Sequence, residues 1–202
     1  MGKVIYEILD KQKRMKYYDF HANYQKRQGW HPLKEEQYNV LENKMSSDEN
    51  VYCNGIDKNV NLNYYILDSF YQTKNELDRI GTPKFVMDAS IGEEKIASME
   101  FEPRAVGICL DGCHIDGKYL DTHNKKIGIA DLLCERMERL SQEMGINSVF
   151  FTGLQTGDLG SIEKSTFENR RYIYEPEDEF GECLATKVLP PINTKNIDEK
   201  SM

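Results

Sequence analysis

Residues 120–145 constrain this chain most, because they combine the end of an apolar strand, a short polar loop and a helix. The loop ends in Lys125 and Lys126, and Gly128 and Ala130 stand where the helix opens. Backbone N–H groups at that point can therefore approach an anion without an intervening Cβ atom. The helix dipole adds partial positive charge at the same place. The sequence predicts an anion site at the start of this helix.

The same residues also allow plainer interpretations. A glycine before a helix is common, and a Lys-Lys pair is more often solvated surface than a ligand. A generic phosphate site is a further interpretation of Lys125, Lys126 and Gly128. The residues around the loop decide how specific the pattern is.

The loop and its surroundings resemble the acetyl-CoA motif of the GNAT superfamily of N-acetyltransferases, which has the form Gln/Arg-x-x-Gly-x-Gly/Ala. Residues 125–130, Lys-Lys-Ile-Gly-Ile-Ala, match this form with Lys in place of Gln or Arg. The family closes the preceding strand with an apolar residue, where Leu120 stands, and often has a proline where this chain has Thr122. Gly145 and the apolar run after it match the family's passage into the next strand. The resemblance extends over about residues 84–190.

The resemblance implies a GNAT-like mixed α/β fold, with a mostly antiparallel twisted sheet flanked by helices. It also implies an acetyl-CoA-dependent N-acetyltransferase acting on a primary amine of a protein lysine, a polyamine or a small molecule. The chain is expected to divide into a helix-rich segment partly integrated into the core (1–81), an acetyl-CoA-binding core (82–192) and a flexible tail (193–202). The residues expected to hold acetyl-CoA are Leu120, Asp121, Thr122, Lys125, Lys126, Ile127, Gly128, Ile129, Ala130 and Asp131.

Composition indicates a globular protein. The 202 residues are 30% charged and 39% hydrophobic, which suits neither a disordered chain nor a membrane protein. No apolar run approaches the roughly 20 residues of a bilayer span, and the N-terminal residues lack a signal-peptide pattern, so the cytosol is the expected compartment. The net charge of −8 disfavours nucleic acid as a partner and favours a cationic acceptor. The sequence leaves a homo-oligomer open.

The cysteines raise the question of a metal site. The chain has five of them, an odd number without disulfide spacing, which suits a reducing compartment. Cys109, Cys113 and His114 offer ligands close together, but no second pair follows to complete a tetrahedral site. The preferred interpretation is small buried hydrophobic residues on strands, and no metal is expected.

Hydrophobic periodicity changes along the chain. Residues 6–27, 33–45 and 62–80 have helical spacing. After Pro83, short apolar runs bounded by turn residues predict strands. These runs are 85–87, 96–101, 105–110, 113–120, 149–152, 171–174 and 182–189. A short helix is predicted between residues 152 and 171, with Ser161 as its cap and Asn169 near its end.

Two Asp-Gly pairs fall among these strands. Asp111-Gly112 separates two of the runs and favours a tight hairpin. Asp116-Gly117 lies within a run and is either the true turn or a bulge. We favour the bulge, because the fourth strand of the resembled family is bulged and parts from the fifth to open a cleft for the thioester arm.

Acetyl transfer to an amine requires the amine to lose a proton and the departing thiolate to gain one. The resemblance places the strand before the loop beside the thioester, so His114 and Asp116 are the candidate bases, with Glu100 and Glu102 in second place. The alternative for His114 is a strand residue satisfied by the backbone, which is the more common situation.

The proton donor is where the sequence departs from the family. Many GNAT enzymes use a tyrosine on the helix after the fifth strand, where this chain has Thr166 or Phe167. Tyr172 and Tyr174 are nearby substitutes, although strand packing is the commoner role for both. The alternative function is therefore a catalytically degenerate GNAT-fold protein that binds CoA or a protein partner.

Overall fold

The computed structural model describes residues 2–119, 128–155, 164–174 and 182–191. Its elements are β1 (Lys3–Ile8), α1 (Lys11–Arg27), α2 (Glu35–Met45), β2 (Glu49–Cys53), β3 (Lys58–Gln72), β4 (Leu77–Arg79), β5 (Lys84–Ile91), β6 (Glu94–Arg104), β7 (Gly107–Ile115), a 3-10 helix (Gly117–Tyr119), α3 (Ile129–Glu143), β8 (Ser148–Gln155), α4 (Lys164–Asn169), β9 (Ile173–Tyr174) and β10 (Glu182–Val188).

The described strands form a ten-stranded sheet in the order β1-β3-β5-β6-β7-β8-β10-β9, and β2 and β4 also pair with β3. Every pair is antiparallel except β7 with β8, which run parallel. The connection between these two strands contains α3. Parallel neighbours need a long crossover of this kind. The predicted fold class, a mixed α/β fold with a mostly antiparallel sheet and flanking helices, is confirmed.

One face of the sheet forms the core with the helices. Along β3, every second residue from Val60 to Asp68 is buried, which is the pattern of a strand with one packed face. Phe85 and Phe101 pair on this face with ring centroids 6.0 Å apart, and Tyr17 of α1 packs on Phe85 at 6.3 Å. The buried apolar stripe of α3 comprises Ile129, Leu133, Met137 and Leu140. The opposite face is left to mostly polar side chains.

Side-chain contacts join the helices to one another. Arg14 of α1 donates two hydrogen bonds to the Glu42 carboxylate of α2, at 3.0 and 3.2 Å. Lys44 of α2 forms an ion pair with Glu143 of α3 at 3.2 Å. These contacts place α1, α2 and α3 in series over the core. None of the helices in the described parts of the chain is long and apolar enough to cross a bilayer.

The helices predicted in the first part of the chain are confirmed as α1 and α2, but the third is wrong. Residues 62–80 lie mainly in β3 and β4. Burial there recurs at every second position, and β3 pairs with β1 on one side and β5 on the other, so strand pairing determines its conformation. The start of the first helix is also wrong, because Tyr6 and Ile8 belong to β1. α1 begins after Asp10, whose carboxylate accepts a hydrogen bond from the Lys13 N–H.

The hairpin predicted at Asp111-Gly112 is wrong. Residues 107–115 form one strand, β7, and the turn between β6 and β7 lies at Ala105 and Val106. The physical reason is that β6 pairs with residues on both sides of Asp111, so the ladder keeps this stretch extended. The other predicted strands after Pro83 are confirmed as β5, β6, β8, β9 and β10.

The second Asp-Gly pair is neither a strand turn nor a bulge. Gly117–Tyr119 forms the 3-10 helix, and Asp116 Oδ1 accepts a hydrogen bond from the Lys118 N–H at 3.1 Å. The helix predicted after the polar loop is confirmed as α3, and Gly145 follows it with a φ of +69°, where glycine is favoured. The predicted Ser161 cap and the tail at 193–202 lie outside the described residues.

The close approach of β7 to β8 depends on Gly107. A Cβ atom there meets Phe150 Cε1 at 2.6 Å and Ser148 Oγ at 2.8 Å. We expect Gly107→Ala to lower the free energy of unfolding by about 1–3 kcal/mol through overpacking, measured by urea denaturation. Gly112→Ala in the same strand is the control, because nothing lies within 4 Å of its Cβ position. Equal effects of the two substitutions would contradict the close approach.

Candidate functional site

The sheet parts between β7 and β8. The last register pair that joins these parallel strands is Leu110 with Phe151. Beyond it, β7 stays with β6 as far as Ile115, while β8 stays with β10 as far as Gln155. The two halves of the sheet therefore separate after Leu110 and leave a gap between neighbouring strands.

A β-bulge lies where the separation starts. Phe101 of β6 pairs with Leu110 and Glu100 pairs with Gly112, so Asp111 is an extra residue in β7. A bulge bends its own strand and increases the local twist, which turns β7 away from β8. The bulge predicted at Asp116-Gly117 thus lies at Asp111 instead.

The helix α3 begins at the open end of this gap. β7 and β8 run parallel, so the helix that connects them must return along the sheet and start where β7 ends. Gly128 is its N-cap residue, with extended backbone and no side-chain capping bond. Ile129, the first helical residue, is 1% exposed and anchors the start of the helix in the core. Backbone donors and the gap therefore lie at the same end of the sheet.

Part of the predicted acetyl-CoA site can be placed. Gly128, Ile129 and Ala130 form the start of α3, and Ala130 packs against the core. Asp131 is in the first turn, where Arg170 Nη1 donates to its Oδ1 at 2.8 Å. The remaining predicted residues, which are Leu120, Asp121, Thr122, Lys125, Lys126 and Ile127, lie outside the described residues.

A buried ionic cluster continues from Asp131 along α3. Arg170, directly after α4, also donates to both carboxylate oxygens of Glu138 at 2.9 and 2.8 Å. Lys187 of β10 donates to Glu138 Oε2 at 2.7 Å. Burial alone favours the protonated carboxyl, but the hydrogen bonds from Arg170 and Lys187 outweigh it and hold the pKa of Glu138 below its ordinary value. The cluster fixes α3 to α4 and β10.

The two candidate proton donors differ in what the structure shows. Tyr172 is 5% exposed, and its hydroxyl donates to Glu138 Oε1 at 2.9 Å. Burial raises its pKa, and nearby Cys134 and Glu138 add to the effect. The backbone of Tyr174 lies in β9 and pairs with Ala185, and its side chain is outside the described residues. Phe167, one of the two residues at the position expected for the family tyrosine, is fully buried and packs edge-on against Tyr172.

A groove crosses the polar face of the sheet and ends at the bulge. Its volume is 520 Å³, and its lining includes Tyr6, Ser69, Lys84, Glu100, Glu102 and Asp111. It runs from the β1 edge, where Tyr6 is 67% exposed, to the strand that parts from β8. The groove therefore brings solvent to the point where the sheet opens.

Carboxylates dominate the inner end of the groove. Lys84 Nζ lies 3.4 Å from Glu100 Oε2 and 3.7 Å from Asp111 Oδ2, so one cation is shared between two acids. Burial raises the pKa of Asp111, and Glu102 and Glu100 add to it, while Lys84 opposes the shift. Glu102 has its own partners, His21 and Arg104. Asp111 is the acid at the bulge whose ionised form is disfavoured.

The predicted bases lie further along the same strand. His114 is exposed and pairs with Ser98 of β6. Asp116 follows the end of β7, and its backbone N–H donates to Ile96 O at 2.9 Å. Asp111 is a further candidate base, which the sequence analysis did not identify. The sequence did mark its position with an Asp-Gly pair between two apolar runs, but that pair was interpreted as a hairpin turn and not as a bulge.

The residues considered for a metal site separate onto two faces. Cys113 pairs with Met99 and His114 with Ser98, and successive strand residues point to opposite faces. Burial raises the pKa of Cys113 to about 12, so its thiol is protonated at neutral pH. Among the described residues, no group of three or more His, Cys, Asp and Glu side chains is placed to hold a metal ion.

The solved structures to which the chain is similar include GNAT-domain acetyltransferases. The GNAT domain of S. lividans PAT is 13% identical, with 70% of this chain and 97% of that chain covered, at a TM-score of 0.47. A GNAT-family acetyltransferase from Streptococcus pneumoniae is 12% identical, with coverages of 93% and 100% and a TM-score of 0.42. The ribosomal-protein-S18-alanine N-acetyltransferase from Escherichia coli is 11% identical, with coverages of 96% and 99% and a TM-score of 0.40.

No protein-family model matches the chain, and no curated protein sequence matches it.

Proposed function

We propose that the chain is an acetyl-CoA-dependent N-acetyltransferase that acts on a primary amine. The observation that carries the proposal is the gap between β7 and β8, which opens at the Asp111 bulge toward the end of the sheet where α3 begins. An extended pantetheine arm fits such a gap, with its pyrophosphate at the N-terminus of α3. The thioester at the end of the arm then comes to lie at Asp111, beside the groove.

The cosubstrate site in this proposal joins the start of α3 to the loop before it. Gly128 has no Cβ to keep a phosphate away, and the N–H groups of the first helical turn donate to phosphate oxygens. Lys125 and Lys126 add charge-assisted hydrogen bonds, as the family resemblance implies. Because Ile129 is buried, the N–H groups of the first turn of α3 are fixed before the ligand arrives.

The acceptor in this proposal enters along the groove as a cation. Glu100, Glu102 and Asp111 supply three carboxylates against two cations, Lys84 and Arg104. The excess negative charge attracts an ammonium group to the groove. The overall charge of −8 acts in the same direction. A polyamine, a lysine side chain or another small cationic amine satisfies this chemistry.

Proton transfer in this proposal takes place at Asp111. The Asp111 carboxylate first takes one proton from the ammonium group, and the neutral amine then attacks the thioester carbonyl carbon. The C–S bond breaks as the adduct collapses, and the thiolate takes up the second proton that the nitrogen gives up. A carboxylate whose pKa is raised is a stronger base for this step than one with the ordinary pKa of an aspartate. His114 and Asp116 are the alternative bases further along β7.

The hydrogen bond from Tyr172 to Glu138 favours a second candidate function. A hydroxyl engaged in a buried cluster is occupied with holding α3 in place, so Tyr174 is the remaining tyrosine for the thiolate. If Tyr174 does not act either, water protonates the departing thiolate. A chain that binds CoA and turns over no amine is the alternative, a catalytically degenerate protein. Turnover with a panel of amines separates the two functions.

Acetyl-CoA is expected to raise the melting temperature of the native protein. At a ligand concentration 100 times the dissociation constant, linkage gives a stabilisation of about 2.7 kcal/mol. Gly128→Glu places a carboxylate at the proposed pyrophosphate position and should abolish the shift while the protein still folds. Differential scanning fluorimetry with isothermal titration calorimetry measures both effects.

The control for this experiment is Asn147→Glu, which adds the same charge beyond the other end of α3, at an exposed position. It should leave the thermal shift unchanged. Absence of both a shift and calorimetric binding in the wild type would refute the proposed function. Equal loss of binding in the two variants would show that charge alone, and not the start of α3, governs the interaction.

A further inference from the structure

We infer that Arg170 is a positioning residue for the cosubstrate, which holds the Asp131 carboxylate away from the start of α3 where phosphate is proposed to bind. The inference rests on the proposed function. The sequence predicted a direct contact of Asp131 with acetyl-CoA and no role for Arg170. The described contacts assign the two residues a joint role instead.

The position of Asp131 creates a conflict for an anion site. It is the third residue of α3 and the acidic residue of its first turn. From this position a carboxylate commonly reaches back to the N–H groups at the helix start. A carboxylate turned that way would occupy the donors that a phosphate needs and would repel the phosphate. An anion site here therefore requires that the Asp131 side chain be directed elsewhere.

The contacts of Arg170 meet this requirement. Its Nη1 donates to Asp131 Oδ1 at 2.8 Å and lies 3.4 Å from the backbone oxygen of the same residue. The other two guanidinium nitrogens, Nε and Nη2, are engaged with Glu138. With its side chain 14% exposed and bonded on two sides, Arg170 is fixed, and so is the direction of the Asp131 carboxylate.

The charges of the cluster support the same conclusion. Asp131 and Glu138 contribute two negative charges, and Arg170 and Lys187 contribute two positive ones. The cluster is therefore neutral, and the helix dipole and backbone donors act on an anion without opposition from Asp131. Loss of Arg170 leaves a net negative charge next to the start of α3.

A double-mutant cycle tests the inference with two probes, CoA and pantetheine, which lacks the phosphates. Arg170→Gln should weaken CoA binding about 10-fold, because an uncompensated carboxylate then faces the phosphates, and should change pantetheine binding less than about 2-fold. Asp131→Asn alone should bind CoA at least as tightly as the wild type. The double variant Arg170→Gln/Asp131→Asn should return CoA affinity to near the wild-type value. Calorimetry on the folded proteins gives all the constants.

A purely structural role of Arg170 predicts a different pattern. In that case Arg170→Gln weakens CoA and pantetheine alike, and the double variant is no better than Arg170→Gln; either result overturns the inference. Should Arg170→Gln fail to fold, Asp131→Asn decides alone, because weaker CoA binding by this variant means that Asp131 contacts the cosubstrate directly. A wild type that binds no CoA contradicts the proposed function itself. Failure of the proposed function is therefore distinguishable from failure of the role inferred for Arg170.

Discussion

Replacing Asp111 by Asn is expected to lower turnover of acetyl-CoA with a cationic amine by about 10²- to 10⁴-fold, the usual contribution of a positioned base. Asn keeps the size of the side chain at the bulge and removes its ability to accept a proton. Release of free CoA thiol, followed with a thiol reagent over a panel of amines, measures the effect. Polyamines and lysine peptides should rank ahead of anionic amines.

The same substitution should make the protein more stable. Burial raises the folded-state pKa of Asp111 above its unfolded value, so ionisation of this group at neutral pH opposes folding. Removal of the charge therefore raises the unfolding midpoint near pH 7, and the gain disappears as the pH falls through the unfolded pKa of the carboxyl, where both states are protonated. Lower activity together with higher stability is typical of a residue retained for function.

Asp78→Asn is the control for this experiment, since Asp78 is an exposed aspartate on β4 that does not line the groove. It should change neither turnover nor the unfolding midpoint. Full activity in Asp111→Asn would remove Asp111 as the base and return the role to His114 or Asp116, each tested by its own substitution. A protein that binds acetyl-CoA and turns over no amine, including those in a cell lysate with labelled acetyl-CoA, is the degenerate binder.

The second half of the fold was predictable because its local signals agree with its tertiary structure. The apolar stripe of α3 and the glycine after it, Gly145, specify one helix and its end. Short apolar runs specify β5, β6 and β8. Where local and long-range preferences conflict, prediction failed: residues 62–80 can be arranged on a helical face, but pairing of β3 with both β1 and β5 decides in favour of a strand.

The candidate site was predictable only in part, and for a related reason. The anion site proposed at the start of α3 follows from local sequence, since a glycine before a helix acts through neighbouring backbone. The bulge at Asp111 does not, because it depends on a register shift between β6 and β7. Arg170 was missed because it lies 39 residues from Asp131 along the chain, and only the packing of α4 on α3 brings them together.

The ionic cluster on α3 provides the largest expected effect on stability. Glu138→Gln keeps the shape of the side chain and leaves Lys187 without its carboxylate and Arg170 with only Asp131. Removing one partner of a buried ion pair costs about 3–5 kcal/mol, and because the Lys187 side chain is 19% exposed, we expect a loss of about 3 kcal/mol in the free energy of unfolding at pH 7. Urea denaturation followed by circular dichroism measures it.

Glu143→Gln on the same helix is the matched control. Its carboxylate is 25% exposed and pairs with Arg139, which is 58% exposed, and with Lys44 of α2, which is 22% exposed. Both ion pairs are open to solvent, so the loss of the carboxylate should cost about 1 kcal/mol or less. The pH dependence separates the two further. The folded-state pKa of Glu138 lies below its unfolded value, so its contribution is present above the unfolded pKa and is lost as the pH falls through the folded one. The difference in free energy of unfolding between the wild type and Glu138→Gln should therefore shrink in acid. Equal losses of free energy in Glu138→Gln and Glu143→Gln at pH 7 would mean that the cluster does not hold α3 in place.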